Sequence, residues 1–394
     1  MRIGHIRANY PEKRLIIGKI SSAHYIEIAD PSKILSHRVA QINKIVRKNV
    51  FSPFDAGNIH ISLKTAPADC IHLINSVCIG PTPWVTTFET ISPRFISTLR
   101  HASCNPDYTD CKDKLGVRLA VRSFAHKSCL SIIALSQCAE RIQLEFLGKF
   151  DRLGDLAIPK LTTIHPPQPL HDRDLPISRD SNRRVRLMLV GGAFFRKGDR
   201  EILAALSSLR ESGLGRLFHL TIVSSLRIDP YASGETCQDV KLAESFIRSN
   251  SDWIEWHQNL PNSEVIECMK RCDVGLLPTY ADTYGYSVLE FQSCGCPVIT
   301  TNIRALPEIN PEDCGWQIKV PTNRFGEALY QTSAERNALS YKITSGLVEI
   351  LTSIAQNPES IRPKAIASLH RIKSFHDPRQ YAFRLNEVYR NING

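Results

Sequence analysis

Apolar positions along this 394-residue chain fall into two alternating patterns. Short unbroken apolar runs suit strands buried on both faces, and longer stretches with apolar residues three and four apart suit covering helices. The alternation is regular in the second half. Strands are expected at 185–190, 218–224, 253–256, 274–277, 298–301 and 316–320. Between and after them, helical spacing runs through Ile202, Leu203, Leu206 and Leu209, then over 262–271, 286–294, 334–355, 359–374 and 377–392. The first half is less regular. It reads as strands at 2–6, 14–17, 70–76, 84–87 and 130–135, with helices at 36–50, 117–127 and 137–147. Strands alternating with helices predict an α/β fold with parallel sheets.

The pattern lapses over 168–184, a stretch rich in Pro, Asp and Arg, which reads as a linker. The expected organisation is a first domain at 1–168, a linker at 169–184, a second domain at 185–375 and a closing helix at 376–394. A length of 394 residues also favours two domains. The linker contains Asp172-Arg173-Asp174. An Asp-x-Asp spacing can hold a divalent ion, but with no strand before it the pair reads as solvated, and no metal site is assigned.

Composition describes an ordinary globular protein, with 42% hydrophobic and 22% charged residues. The net charge of +10 favours anionic partners such as nucleoside diphosphates or an anionic lipid surface. No recognition motif with interleaved aromatics accompanies it, so nucleic acid is not expected as a partner. The twelve cysteines are scattered, with no paired C-x2-C motifs, and read as small buried residues of a reducing compartment. The N-terminus is polar and basic, and no run of eighteen apolar residues occurs. The expected location is cytoplasmic, with peripheral contact at the inner membrane left open. Helix 36–50 motivates that contact. Leu35, Val39, Ile42 and Val46 form a stripe opposite His37, Arg38, Lys44, Arg47 and Lys48. The stripe suits either a core-facing surface helix or one lying on an anionic bilayer.

The chemistry concentrates in 273–301, DVGLLPTYADTYGYSVLEFQSCGCPVITT. Here a strand opens through Gly285 onto a helix N-terminus, where free N–H groups and the positive end of the dipole favour an anion. Asp282 and Glu290 frame the spot, with Tyr286 and Ser287 one helical turn before Glu290. Carboxylates are poor phosphate ligands but good acceptors for the hydroxyls beside a phosphate, as on ribose or hexose. The plainer alternative is that both acids are simply solvated. A second strand–glycine–helix unit, Val190-Gly191-Gly192-Ala193-Phe194-Phe195-Arg196-Lys197-Gly198, opens the second domain. Its glycines let a ligand approach the backbone, and Arg196 and Lys197 can set cations beside a diphosphate. It is not the G-x-G-x-x-G fingerprint, so no dinucleotide cofactor is implied.

Asp282-Thr283-Tyr284-Gly285 followed by Glu290 and then Gly295-Cys296-Pro297-Val298-Ile299 resembles the donor-site signature of retaining glycosyltransferases of family 4. That resemblance covers about 186–320 and implies a GT-B fold: two Rossmann-like doubly wound domains facing a central cleft. It implies transfer of a sugar from a nucleoside diphosphate sugar, the donor substrate, to a glycan, lipid or small-molecule acceptor, without a metal. Residue by residue, it implies that Lys197 holds the donor diphosphate, Asp282 the donor-sugar hydroxyls and Glu290 the ribose. It further implies that Gly191, Gly192, Arg196, Tyr284, Gly285, Tyr286 and Ser287 line the nucleotide and that His257 stands in the loop beside the base. Ala305-Leu306-Pro307-Glu308-Ile309 resembles the family's P-E-[IV] turn.

The chain departs from the pattern in four places. Asp282 stands where the family usually has Glu, a reach shorter by about 1.5 Å. The family's arginine before the lysine falls at Gly191, a loss for which Arg196 is positioned to compensate. No glycine-rich loop follows the first strand. Phe88 and Glu89 occupy the place of a His near the reaction centre, where Glu89 could take a polar role. These departures motivate a rival reading, a GT-B protein that binds nucleotide without turnover.

Overall fold

The computed structural model describes residues 1–47, 51–63, 67–103, 107–171 and 184–390. The chain divides into two compact units, Met1–Pro167 with His376–Gly394, and Gln168–Phe375. Asp172-Arg173-Asp174 and the rest of the expected linker, apart from its ends, lie outside the described residues.

The first unit contains strands β1 (Arg2–His5), β2 (His24–Glu27), β3 (Ile59–Ile61), β4 (Cys70–Ile74), β5 (Val77–Ile79), β6 (Trp84–Phe88), β7 (Cys129–Ala134) and β8 (Leu161–Thr163). Six of them form a parallel sheet in the order β2-β1-β4-β6-β7-β8, and β3 pairs with β5 separately. Every residue of β6 is buried, Thr86 and Thr87 included, as in a strand covered on both faces.

One expected strand is wrong. Residues 14–17 do not form a strand, because the helix Tyr10–Leu15 ends there. Proline in its first turn, Glu12 beside it and Lys13 and Arg14 in its last turn are helix signals that the short apolar run obscured. β1 pairs with β4 on one side and on the other with β2, an edge strand reading HYIE with no residue fully buried, so no apolar run marks it. The basic helix spans Pro31–Val46 and starts earlier than its apolar spacing indicated. Asp30 caps it, its carboxylate accepting from the Ser32 N–H at 3.2 Å, with Pro31 in the first turn.

The last helix, Pro378–Arg390, belongs to this unit. Tyr381 donates its hydroxyl to the Leu15 carbonyl at 2.6 Å. The Tyr389 hydroxyl lies 2.5 Å from His72 Nδ1, and His72 Nε2 lies 2.7 Å from Thr87 Oγ1. One buried imidazole thus ties β4, β6 and the final helix together, and complete burial depresses its pKa to about 3.

The second unit contains β9 (Val185–Val190), β10 (Phe218–Val223), β11 (Ile254–His257), β12 (Val274–Leu277), β13 (Val298–Thr301) and β14 (Gly315–Ile318). They form one parallel sheet in the order β11-β10-β9-β12-β13-β14. The helices Asp199–Glu211, Asn262–Arg271, Tyr286–Ser293, Ser333–Gln356 and Ile361–Phe375 lie where the spacing placed them, within a few residues. The helix Cys237–Ser249 was not read from the sequence. Only Ala243 and Ile247 of it are buried, too few to set a period, although Thr236 and Asp239 form a capping box at its start.

In both sheets the chain runs outward on one side of the first strand and then returns to its other side. The switch falls between β1 and β4 in the first unit and between β9 and β12 in the second. Side chains and loops diverge at the carboxyl ends of such strand pairs, leaving a crevice where ligands bind.

Candidate functional site

At the switch point of the second unit, the loop after β9 meets the loop after β12. Gly191 has φ of +147°, a backbone that side-chain-bearing residues avoid. A Cβ placed there would come within 2.4 Å of Lys197 Cε, so the lysine stem lies across the space that Gly191 leaves. This directs Lys197 Nζ to 3.6 Å from Asp282 Oδ2, with both side chains largely shielded. Asp282 Oδ1 accepts from the Tyr284 N–H at 3.2 Å, which fixes the carboxylate at the mouth of the loop.

Arg196 stitches the two loops. Its Nε donates to Asp229 at 2.9 Å and its Nη1 to the Ala281 carbonyl at 2.6 Å. Its own carbonyl accepts from Tyr280 N–H and from Thr279 Oγ1. Behind it, the buried Glu201 accepts from Tyr280 OH at 2.9 Å, Arg200 Nε at 3.0 Å and Ser340 Oγ at 2.7 Å. Beside Lys197 sits Asp199, wholly buried. Desolvation raises its pKa well above the usual carboxylate range, and the opposing pull of Lys197 does not cancel it. Asp229, Asp199, Glu201 and Tyr280 support the site, and none of them was singled out from the sequence. Their signal was weak because no local pattern marks a residue that acts across eighty positions of chain.

Gly285, at φ of +91°, opens the helix Tyr286–Ser293. Tyr286, Ser287 and Glu290 are half-buried on it. The Tyr284 ring is 1% exposed and stacks near Tyr286 with centroids 5.2 Å apart. Of Tyr284, therefore, it is the backbone that faces the loop, and the ring belongs to the core. His257 ends β11, where Nε2 lies 2.9 Å from Glu255 Oε1. It pairs in register with Val223, which pairs with Val190, so it stands two strands from Gly191, about 10 Å away across the sheet.

The site thus gathers Gly191, Gly192, Lys197 and Asp282 tightly. Arg196 is beside them, engaged by protein partners. The first turn of the Tyr286–Ser293 helix lies past Gly285, and His257 lies at the flank. Among the described residues no cluster of His, Cys, Asp and Glu suits a metal.

The first unit has its own crevice at the carboxyl ends of β1 and β4, lined by Arg7, Asn9, Glu12, Asn75, Ser76 and Arg94 among others. Phe88, at the end of β6, is fully buried, and Glu89 after it is half-buried.

Two parallel six-stranded sheets with these switch points define a GT-B fold, and solved structures agree. HepE from Anabaena, in complex with UDP, aligns over 99% of both chains with a TM-score of 0.60 at 14% identity. Sucrose-phosphate synthase from Thermosynechococcus elongatus aligns over 94% of this chain and 80% of its own, with a TM-score of 0.54 at 15% identity. WaaG, a glycosyltransferase involved in lipopolysaccharide biosynthesis, aligns over 91% and 86%, with a TM-score of 0.53 at 18% identity. Residues 179–334, the stretch that carries the site, match the family described as glycosyl transferases group 1. The glycosyltransferase resemblance read from Asp282 to Ile299 is borne out over that stretch at the level of this family. No curated protein matches the chain.

Proposed function

We propose that this protein is a retaining, metal-independent glycosyltransferase that moves a sugar from a nucleoside diphosphate sugar to a glycan, lipid or small-molecule acceptor. The observation that carries the reading is the juxtaposition of Lys197 and Asp282 at the β9/β12 switch point, next to the helix N-terminus after Gly285. HepE, which shares the fold, is described in complex with UDP and glucose, which supports a nucleotide-sugar donor.

In this reading Lys197 and the helix N-terminus stabilise the charge that grows on the leaving diphosphate. Asp282 accepts from donor-sugar hydroxyls and Glu290 from the ribose. The acceptor hydroxyl attacks the anomeric carbon from the face the diphosphate leaves. Its proton passes to a donor phosphate oxygen as the glycosidic bond to phosphate breaks. The polar crevice at β1 and β4 offers amides, hydroxyls and guanidinium groups to an acceptor. The exposed apolar face of the helix Pro31–Val46, set among basic residues, supports peripheral contact with an anionic membrane.

Calorimetric titration with UDP, GDP and ADP, alongside Lys197→Ala, tests the site. One nucleotide should bind selectively and lose about tenfold or more in the variant. Equal affinity in the two proteins would remove Lys197 from the site. A second reading is favoured by the self-neutralising contact of Lys197 with the short Asp282 and by Phe88 filling the place of the family's His. In it, nucleotide binds without turnover, and a donor-hydrolysis screen separates the two.

A further inference from the structure

The charges around the switch point do not balance as the sequence suggests. Arg196 is paired with Asp229, and Lys197 faces Asp282. Each base already has a carboxylate, so together these four side chains offer no net positive charge to an incoming diphosphate. A third cation stands beside them. The loop after β10 is Ser224-Ser225-Leu226-Arg227. Leu226 has φ of +53°, unusual for a branched residue, and its side chain is buried. Its N–H donates to Ser224 Oγ at 3.2 Å. This anchored turn sends the Arg227 N–H to the Gly192 carbonyl at 2.9 Å. The Arg227 guanidinium carbon lies 4.0 Å from where a Gly192 Cβ would be. Arg227 is exposed, and its guanidinium has no hydrogen bond or ion pair with any described residue.

We infer that Arg227, presented by the strained turn at Leu226, is the second cation of the donor site and binds the diphosphate over Gly192. Three observations converge on this. The residue is the unbalanced charge of the cluster. Its backbone is tied to the glycine pair whose bareness admits a ligand. A guanidinium fork matches phosphate oxygens in pairs, whereas a lysine offers a point charge. Arg227 thus takes the place of the arginine that the family carries where this chain has Gly191. Arg196, the expected substitute, holds the loops together. The inference rests on the donor-site reading above.

The test measures the affinity of the intact protein and of Arg227→Gln and Arg227→Lys for whichever of UDP, GDP and ADP the wild type binds. Competition by the corresponding nucleoside and by inorganic pyrophosphate is measured in parallel. Arg227→Gln should lose about tenfold or more in diphosphate and pyrophosphate affinity, with nucleoside competition and melting temperature unchanged. Arg227→Lys should recover part of the loss. Diphosphate affinity unchanged in Arg227→Gln, while Lys197→Ala loses it, would overturn the assignment and leave the donor site standing. A matching loss of nucleoside affinity would also overturn it, since the arginine would then act on the base or on the loop. Failure of the wild type to bind any of the three nucleotides would remove the donor-site reading itself.

Discussion

Gly191 and Lys197 occupy one volume: the lysine stem lies across the face of the glycine, where a Cβ would come within 2.4 Å of Cε. The missing side chain is what aims the ammonium at Asp282. Gly191→Ala should therefore act as a lysine variant at a distance. The new methyl cannot coexist with this rotamer, and φ of +147° resists any side chain. Nucleoside diphosphate affinity should fall about tenfold, close to the effect of Lys197→Ala. The double variant should be little worse than either single one, because the two changes remove the same interaction. Titration of the four proteins checks this, and additive losses would separate glycine from lysine.

Arg196 makes a contrasting prediction. Its guanidinium bonds Asp229 and the Ala281 carbonyl, both within the protein. Arg196→Ala strands a half-buried carboxylate and a carbonyl, which costs on the order of 1–3 kcal/mol. The melting temperature should fall by several degrees, whereas Arg227→Gln leaves it alone. Thermal unfolding of the two variants side by side decides between a stitching and a ligand-facing arginine.

The sequence made much of the second unit legible, because its strands are continuous apolar runs and its helices carry clear periods. The helix Asn262–Arg271 was placed to the residue. The site's cations and acids could be read from two local motifs, but their roles could not. Arg196 and Arg227 differ only in what surrounds them, and Asp229 and Ala281 reach Arg196 through the fold. Arg227 was not singled out because its loop matches no phosphate pattern and its relation to Gly192 exists only once β10 pairs with β9. In the first unit, β2 and the helix Tyr10–Leu15 were missed for one reason. An edge strand and a six-residue helix bury too little to impose a period.

Acid should weaken the first unit through His72. Its folded-state pKa, depressed to about 3 by burial, lies far below the unfolded value near 6.5. The neutral ring therefore contributes stability that is complete above the unfolded pKa and is lost as pH falls toward the folded one. Over that window each pH unit removes up to about 1.4 kcal/mol. Chemical denaturation at pH 7.5 and 5 should show the loss. Tyr389→Phe removes a hydrogen bond that the buried imidazole uses. It should lower stability at pH 7.5 by about 1 kcal/mol. A stability profile flat between pH 7.5 and 5 would show that the ring is not held neutral.

The helix Pro31–Val46 tests membrane contact. Ile34, Ile42 and Ile45 are 66%, 51% and 80% exposed, so they are not the core stripe that most amphipathic helices present. At 100° per residue they lie within about 80° of one another, with Arg38 between them and Lys44 and His37 to one side. The opposite face carries Ser36 and Asn43, which donate to the Pro53 and Phe51 carbonyls and pin the helix to the unit. An apolar ridge flanked by bases, on a helix held by its other side, suits an anionic bilayer. Vesicles with a third of their lipid anionic should sediment the protein, neutral vesicles should not, and salt should reduce the binding within the Debye regime. Ile34→Asp with Ile45→Asp should abolish binding without lowering the melting temperature, because neither side chain is buried. Retention of the double variant on anionic vesicles would mean that charge alone holds the protein there, and that the exposed isoleucines have no part in it.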